Sequence, residues 1–145
     1  WIAGVEQTGI NRTVNREKLD YAPVVDALHD PESLRYHVFE GYKAMLAARA
    51  GQPAFHPKSP QRVVAAAREL FVLIRGPYGG SGHQVLCVHN VSDDIVELRL
   101  RRDEIEWPPE GVFRDLISGD IVYPTPEGDH FSLEMQPYEA MWLRN

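Results

Sequence analysis

The sequence has a single cysteine, Cys87, so no disulfide can close within its 145 residues. A chain without that staple must hold its fold by packing and hydrogen bonding, and low cysteine usage suits a reducing compartment. No apolar run approaches the ~20 residues that a membrane-crossing helix requires. The first residues do not show the basic start, apolar run and small-residue cleavage site of a secretory leader. A cytoplasmic location is the expectation. Basic runs are also missing: 15 Lys and Arg stand against 21 Asp and Glu, a net charge of −6. Nucleic acid and anionic lipid are therefore poor partners.

Several catalytic signatures are absent as well. The glycine-rich stretch Gly76-Pro77-Tyr78-Gly79-Gly80-Ser81-Gly82 is not followed by Gly-Lys-Ser/Thr. It joins two strand-like segments rather than a strand and a helix, so it reads as a hairpin loop and not a phosphate cradle. There is no Gly-x-Ser-x-Gly elbow, and Ser118-Gly119-Asp120 reads as a turn. Cys87 and His89 share a strand face, but no second ligand pair stands at a metal-binding spacing, so they read as a buried thiol and a satisfied histidine. His29, His37, His83 and His130 are scattered. No carboxylate spacing singles out a glycosidase pair, and Asp93-Asp94 and Asp103-Glu104 read as solvated turns. Trp107, Tyr78, Tyr123 and Trp142 could form a sugar-stacking platform, but aromatics on alternating strands more often pack a core.

What is present divides into two periods. Asp30-Pro31-Glu32 has the form of a helix start, with an N-cap carboxylate, then Pro at the first helical position, then an acid. Leu34, Val38, Tyr42, Met45 and Leu46 follow at helical spacing, and Gly51 offers a left-handed stop. A shorter helical turn is expected after Asn15, with Pro23 limiting its extension into the segment Val24–Leu28. Two helices cannot cover such stripes by themselves. Pro53, Pro57 and Pro60 then break the pattern, and short strands follow. These are expected at Arg62–Ala66, Leu70–Arg75, Gln84–Asn90, Val96–Arg101, Phe113–Ile117, Ile121–Tyr123, His130–Glu134 and Ala140–Leu143. Their spacing, and the alternation of Val96, Leu98 and Leu100 with Glu97, Arg99 and Arg101, predict an antiparallel sandwich.

Certain segments, in this order, resemble the sucrose phosphorylases and their relatives within the α-amylase superfamily of glycoside hydrolases. They are Thr8-Gly9-Ile10-Asn11-Arg12, Tyr42–Arg49, Pro53-Ala54-Phe55-His56-Pro57, Leu70–Gly76, Val85–Ser92, Phe113–Gly119 and Leu133–Leu143. The first departs from the family's Asp-Ile-Asn-Arg form, with Gly9 where the acid often stands. The resemblance implies an α+β chain: residues 1–58 would be the helical tail of a (β/α)8 barrel, and 59–145 an all-β antiparallel sandwich. The chain's interior-like start at Trp1 accords with that expectation. The barrel that would cover the helical stripe, and with it the nucleophilic Asp and acid–base Glu, is expected outside this chain.

The resemblance further implies a parent enzyme that transfers an α-glucosyl unit with retention, from a sucrose-like α-glucoside to phosphate. The donor could be sucrose, a phosphorylated sucrose, glucosylglycerate or glucosylglycerol. Arg12 matches the family arginine that holds the glucosyl unit, and Asn11 would support the same pocket. No metal and no organic cofactor is implied. The alternatives are the C-terminal part of an α-glucosidase or amylase-type hydrolase, or a non-catalytic sandwich that binds carbohydrate or a partner. The exposed stripe implies self-association of the isolated chain through its helices.

Overall fold

The computed structural model describes residues 6, 9, 18–77, 84–105, 107, 108 and 110–145. Contacts divide the chain into two compact units, 1–43 and 44–145, with the division inside a helix. In the first unit, α1 covers Tyr21–His29 and α2 starts at Leu34, running on to Ala50. Pro23 does not interrupt α1. It stands in the first turn, where a backbone N–H has no intrahelical acceptor to lose. The start of α2 is also displaced from its expected place. Asp30 closes a separate turn, its Oδ1 accepting Glu32 N–H at 3.1 Å, while Ser33 Oγ accepts Arg35 N–H at 3.2 Å and so caps the helix. Neither helix has a buried residue. Leu34, Val38, Tyr42 and Leu46 of the expected stripe are exposed, and Met45 is half-buried.

In the second unit, α2 does not end on a left-handed glycine, since Gly51 has no positive φ. Pro53 ends it instead, by holding the preceding Gln52 in an extended conformation at φ −119°, ψ 115°. Pro53–Phe55 forms a single 3-10 turn, and nine strands follow among the described residues. They are β1 (Gln61–Val64), β2 (Leu70–Arg75), β3 (Val85–Asn90), β4 (Val96–Arg101), β5 (Phe113–Asp115), β6 (Ile121–Val122), β7 (Thr125–Glu127), β8 (His130–Met135) and β9 (Ala140–Arg144). The expected strands are all found, with ends shifted by a residue or two. Only β7 is additional. It carries Pro126, which cannot donate to a ladder, and it is tolerated because β7 lies at a sheet edge.

One sheet has the order β1-β2-β3-β9-β5-β6 and the other β4-β8-β7, with every pairing antiparallel. The main core lies between them. Val72, Ile74, Leu86, Val88 and Leu143 of the larger sheet pack with Leu98, Leu100, Phe131, Leu133 and Met135 of the smaller. Burial of each such side chain contributes roughly 1.5–3 kcal/mol. β4 alternates as its sequence demands, with Leu98 and Leu100 inside and Glu97, Arg99 and Arg101 outside. β3 differs, because it is buried on both faces. Its other face places Val85 and Cys87 in a second cluster with Ala54, Phe55, Leu73, Leu116 and Trp142.

Two buried polar side chains lock the sheet ends. Asn90 donates from Nδ2 to Asp94 O at 2.7 Å and Gln136 O at 2.9 Å, and its Oδ1 accepts Ser92 N–H at 3.0 Å and Ser92 Oγ–H at 2.8 Å. It thus ties the β3–β4 turn to the β8–β9 turn. Asp115 Oδ1 accepts the N–H groups of Trp142 at 2.8 Å and Ile117 at 3.2 Å, and Oδ2 accepts Ser118 N–H at 3.0 Å. The β8–β9 turn, Gln136–Glu139, holds Tyr138 at φ +56°, where glycine is at ease and a side chain costs on the order of 1 kcal/mol. Tyr138 N–H to Ser92 O at 3.0 Å and Gln136 N–H to Glu139 Oε2 at 2.7 Å keep that conformation in place.

Asn90→Ala should lower the unfolding free energy by about 1–3 kcal/mol, because the two turns lose the buried side chain whose hydrogen bonds tie them together. The shift in the midpoint of urea unfolding measures it.

Candidate functional site

Chemistry-bearing side chains meet on the outer face of the larger sheet. The register places Cys87 opposite Trp142 and His89 opposite Phe71 and Ala140. The Trp142 indole donates from Nε1 to His89 Nε2 at 3.2 Å, and the Phe71 ring stands edge-on to the imidazole at 6.0 Å. His89 Nε2 must be unprotonated to accept, and burial already depresses its pKa below the ordinary value. The Cys87 thiol lies beneath Phe55 and Trp142, and burial pushes its pKa up to about 12 despite the pull of Arg75. A thiol so far from ionisation is neither a nucleophile nor a metal ligand at neutral pH. Cys87 and His89 are therefore the buried thiol and satisfied histidine that their spacing suggested.

Beside this cluster, an open hollow of about 520 Å³ is lined by Leu46, Arg49, Gln52, Phe55 and His56, among others. Gln52 Oε1 accepts from Arg144 Nη1 at 3.3 Å, and His56 Nδ1 accepts Lys58 N–H at 3.1 Å, so both serve the local fold. Arg75 braces the turn that lines the hollow. It donates to Ala54 O at 3.2 Å and His56 O at 3.1 Å, with its guanidinium 5.8 Å from the Phe55 ring centre.

The aromatic platform does not assemble. Trp107 packs on Phe113 and Phe131 between the sheets, with Arg102 stacked 4.7 Å from its ring centre. Trp142 packs on Phe55 on the opposite face of the larger sheet. Tyr123 is exposed, and Tyr78 lies outside the described residues. β2 and β3, which flank the glycine-rich segment, pair antiparallel, and residues 78–83 of that segment lie outside the described residues. Asp115 is the one buried carboxylate among the described residues, and its three backbone donors leave it structural. Among those residues no group of three His, Cys, Asp or Glu could hold a metal ion, and no helix is long and apolar enough to cross a membrane. The two residues assigned to a glucosyl pocket, Asn11 and Arg12, lie outside the described residues. Sequence reasoning missed the strained Tyr138, for which the one local signal is Pro137, a residue favoured at the second position of a turn.

This architecture matches the fold of part of solved α-amylases. AmyP in complex with maltose matches with a TM-score of 0.62 at 16% identity, covering 82% of this chain and 22% of that one. A maltogenic α-amylase, AmyB from Thermotoga neapolitana, matches with a TM-score of 0.60 at 14% identity, covering 89% of this chain and 30% of that one. In sequence, the glucosylglycerate phosphorylase of Spirochaeta thermophila is 43% identical over 99% of this chain. That of Allomeiothermus silvanus is 31% identical over 97%. Over nearly its whole length the chain is similar to part of these glucosylglycerate phosphorylases, and its fold is similar to part of the α-amylases. It spans 24% and 21% of the lengths of these two relatives, about a quarter. No protein-family model matches it.

Folding stability should be complete above about pH 6.5 and decline on acidification. The unfolded chain protonates His89 at the ordinary value, while the folded chain resists protonation to lower pH, so the unfolded state binds more protons in that window. Urea unfolding followed from about pH 7.5 down to about pH 5 should show the decline, and a shallower one in His89→Gln. Cys87, in turn, should react with an alkylating reagent only after denaturation.

Proposed function

We propose that this chain is the C-terminal portion of a retaining α-glucosyl-transferring phosphorylase, and that the donor is glucosylglycerate rather than sucrose. The 43% identity over 99% of the chain to a glucosylglycerate phosphorylase carries this reading. A second relative of the same name, from a different organism, supports it. Residues 1–58 are then the end of the catalytic barrel and 59–145 the β-domain. The Pro53–Phe55 turn is the seam between them, since Ala54 and Phe55 pack under the sheet.

The chemistry belongs to the barrel of the longer protein. In a retaining reaction two carboxyl groups stand about 5–5.5 Å apart; one attacks the anomeric carbon while the other protonates the leaving oxygen. Phosphate then takes the glucosyl group from the covalent intermediate. Arg12 holds the glucosyl unit, because its fixed fork of donors can bind a carboxylate and a sugar hydroxyl together, and Asn11 supports the same pocket. A cytoplasmic location, where phosphate and a reduced thiol coexist, fits the single cysteine. Self-association of the isolated chain through Leu34, Val38, Tyr42 and Leu46 would follow from their exposure.

The test is phosphate-dependent glucose-1-phosphate release by the longer protein. Glucosylglycerate should be turned over in preference to sucrose, and the 145-residue chain alone should release nothing. Arg12→Ala should cut turnover roughly 10- to 100-fold, the loss of a charged hydrogen-bond donor. Equal rates on sucrose would reverse the donor assignment, and unchanged kinetics in the variant would remove Arg12 from the pocket.

A further inference from the structure

Among the described residues, three of the strands that end a sheet are ill suited to pairing further. β6 has two residues, β7 has three and carries Pro126, and β1 has four and directly follows Pro60. β4 is different: six residues without proline, at the edge of the smaller sheet. The bonds at its end show which backbone groups face out. Arg102 N–H donates to Asp129 O at 2.9 Å, on the β8 side, whereas Arg101 N–H donates to Glu104 Oε2 at 3.2 Å. Successive residues of an antiparallel ladder turn their N–H and C=O to opposite sides. Glu97 and Arg99 therefore present theirs away from β8, and Glu104 caps the row at Arg101.

The side chains along this edge are unevenly satisfied. Glu97 stands directly opposite Glu134 on β8, and both are exposed. Like charges in that position oppose the pairing. Glu134 Oε1 accepts from Gln136 Nε2 at 2.9 Å, but among the described residues Glu97 has no ion-pair partner. The side of Glu97 away from Glu134 is the open edge itself. Arg99, two residues on, uses only Nε, which donates to Glu127 Oε2 at 2.9 Å. Its guanidinium keeps further donors, and an exposed pair of this kind holds weakly.

We propose that two copies of this protein join edge to edge through β4, antiparallel and two-fold symmetric about Leu98, so that Glu97 of each copy faces Arg99 of the other. Side chains keep their faces across such a join, so the charged residues of one β4 meet those of the other. Centring the pair on Glu97 or Arg99 would set two like charges on the axis, and centring it on Leu100 would set Arg99 against Arg101. Centring on Leu98 sets the unpartnered Glu97 against Arg99 twice over. The backbone agrees, since Glu97 and Arg99 are the residues whose N–H and C=O are free to exchange hydrogen bonds. A second copy thus supplies the complement by symmetry alone. The net charge of −6 on each copy is screened beyond ~8 Å at physiological salt, so the charges at the join decide. Pairing of this kind is independent of the enzymatic assignment.

Sedimentation velocity on a charge-swap series tests this. A join of one strand pair is small, so the parent chain should associate with a Kd on the order of micromolar. Glu97→Arg sets two arginines face to face across the join, and Arg99→Glu sets two acids; each variant alone should associate at least roughly tenfold more weakly. An equimolar mixture of the two restores both opposite-charge pairs and should recover the dimer. Glu97→Arg also places a cation opposite Glu134, so its midpoint of urea unfolding should hold or rise, which separates lost pairing from lost folding. Association through the exposed helices would be alike in all of these proteins, so the difference among them reads the β4 edge alone. A Glu97→Arg chain that associates as strongly as its parent, or a mixture that does not associate, would overturn the proposal. The longer protein should repeat the series; if it stays monomeric at about a hundred times the Kd of the parent chain, the edge belongs to the rest of its own polypeptide and the dimer is rejected.

Discussion

A strand buried on both faces has no side left for water, and β3 imposes that condition on everything around it. Leu86 and Val88 demand the smaller sheet on one side; Val85 and Cys87 demand cover on the other. The second demand explains why the proline-rich segment after α2 is not a loose connection. Pro53 stops the helix and extends Gln52, and the single turn that follows delivers Ala54 and Phe55 to the sheet. Arg75 then fixes this turn by donating to the carbonyls of Ala54 and His56. Inert cysteine, neutral histidine and buried aromatic rings are consequences of one double-sided strand.

The polar groups inside the domain serve the same end. Apolar packing is non-directional and leaves strand register loosely specified. Asn90 and Asp115 supply direction, since each is buried with several hydrogen bonds and each reaches a segment far away in sequence. The motifs that carry the family resemblance in this half, the Asn-x-Ser turn and the Arg-Asp-Leu-Ile-x-Gly turn, are therefore architectural. Their chemistry is that of folding.

Local patterns made much of this legible. The alternation along β4 and the apolar runs of β2 and β3 follow from side-chain periodicity, which does not depend on partners. The helix ends were less legible, because several residues can perform one capping task. Asp30 was expected as the N-cap and Ser33 performs that task instead, and Gly51 need not adopt the left-handed form when Pro53 does the stopping. β7 escaped notice because Pro126 argues against a strand unless the strand is known to be an edge, and edges are a property of the assembled sheet. Likewise Trp107 and Trp142 could be read as neighbours until the fold put them on opposite sides of the larger sheet. Asn11 and Arg12 are tied to a glucosyl pocket by family resemblance alone, and both lie outside the described residues.

The place of β9 has a bearing on how the domain is made. It is the last of the described strands in sequence, yet it sits between β3 and β5 in the sheet. As the chain emerges during synthesis, β1, β2 and β3 can zip together at once, but β3 then presents an open row of amide and carbonyl groups until Ala140–Arg144 arrives. A hydrophobic strand edge waiting in that state can recruit a strand from another chain. The order of translation and the order of assembly are thus out of step, and the interval between them is when nascent chains are most exposed to mispairing.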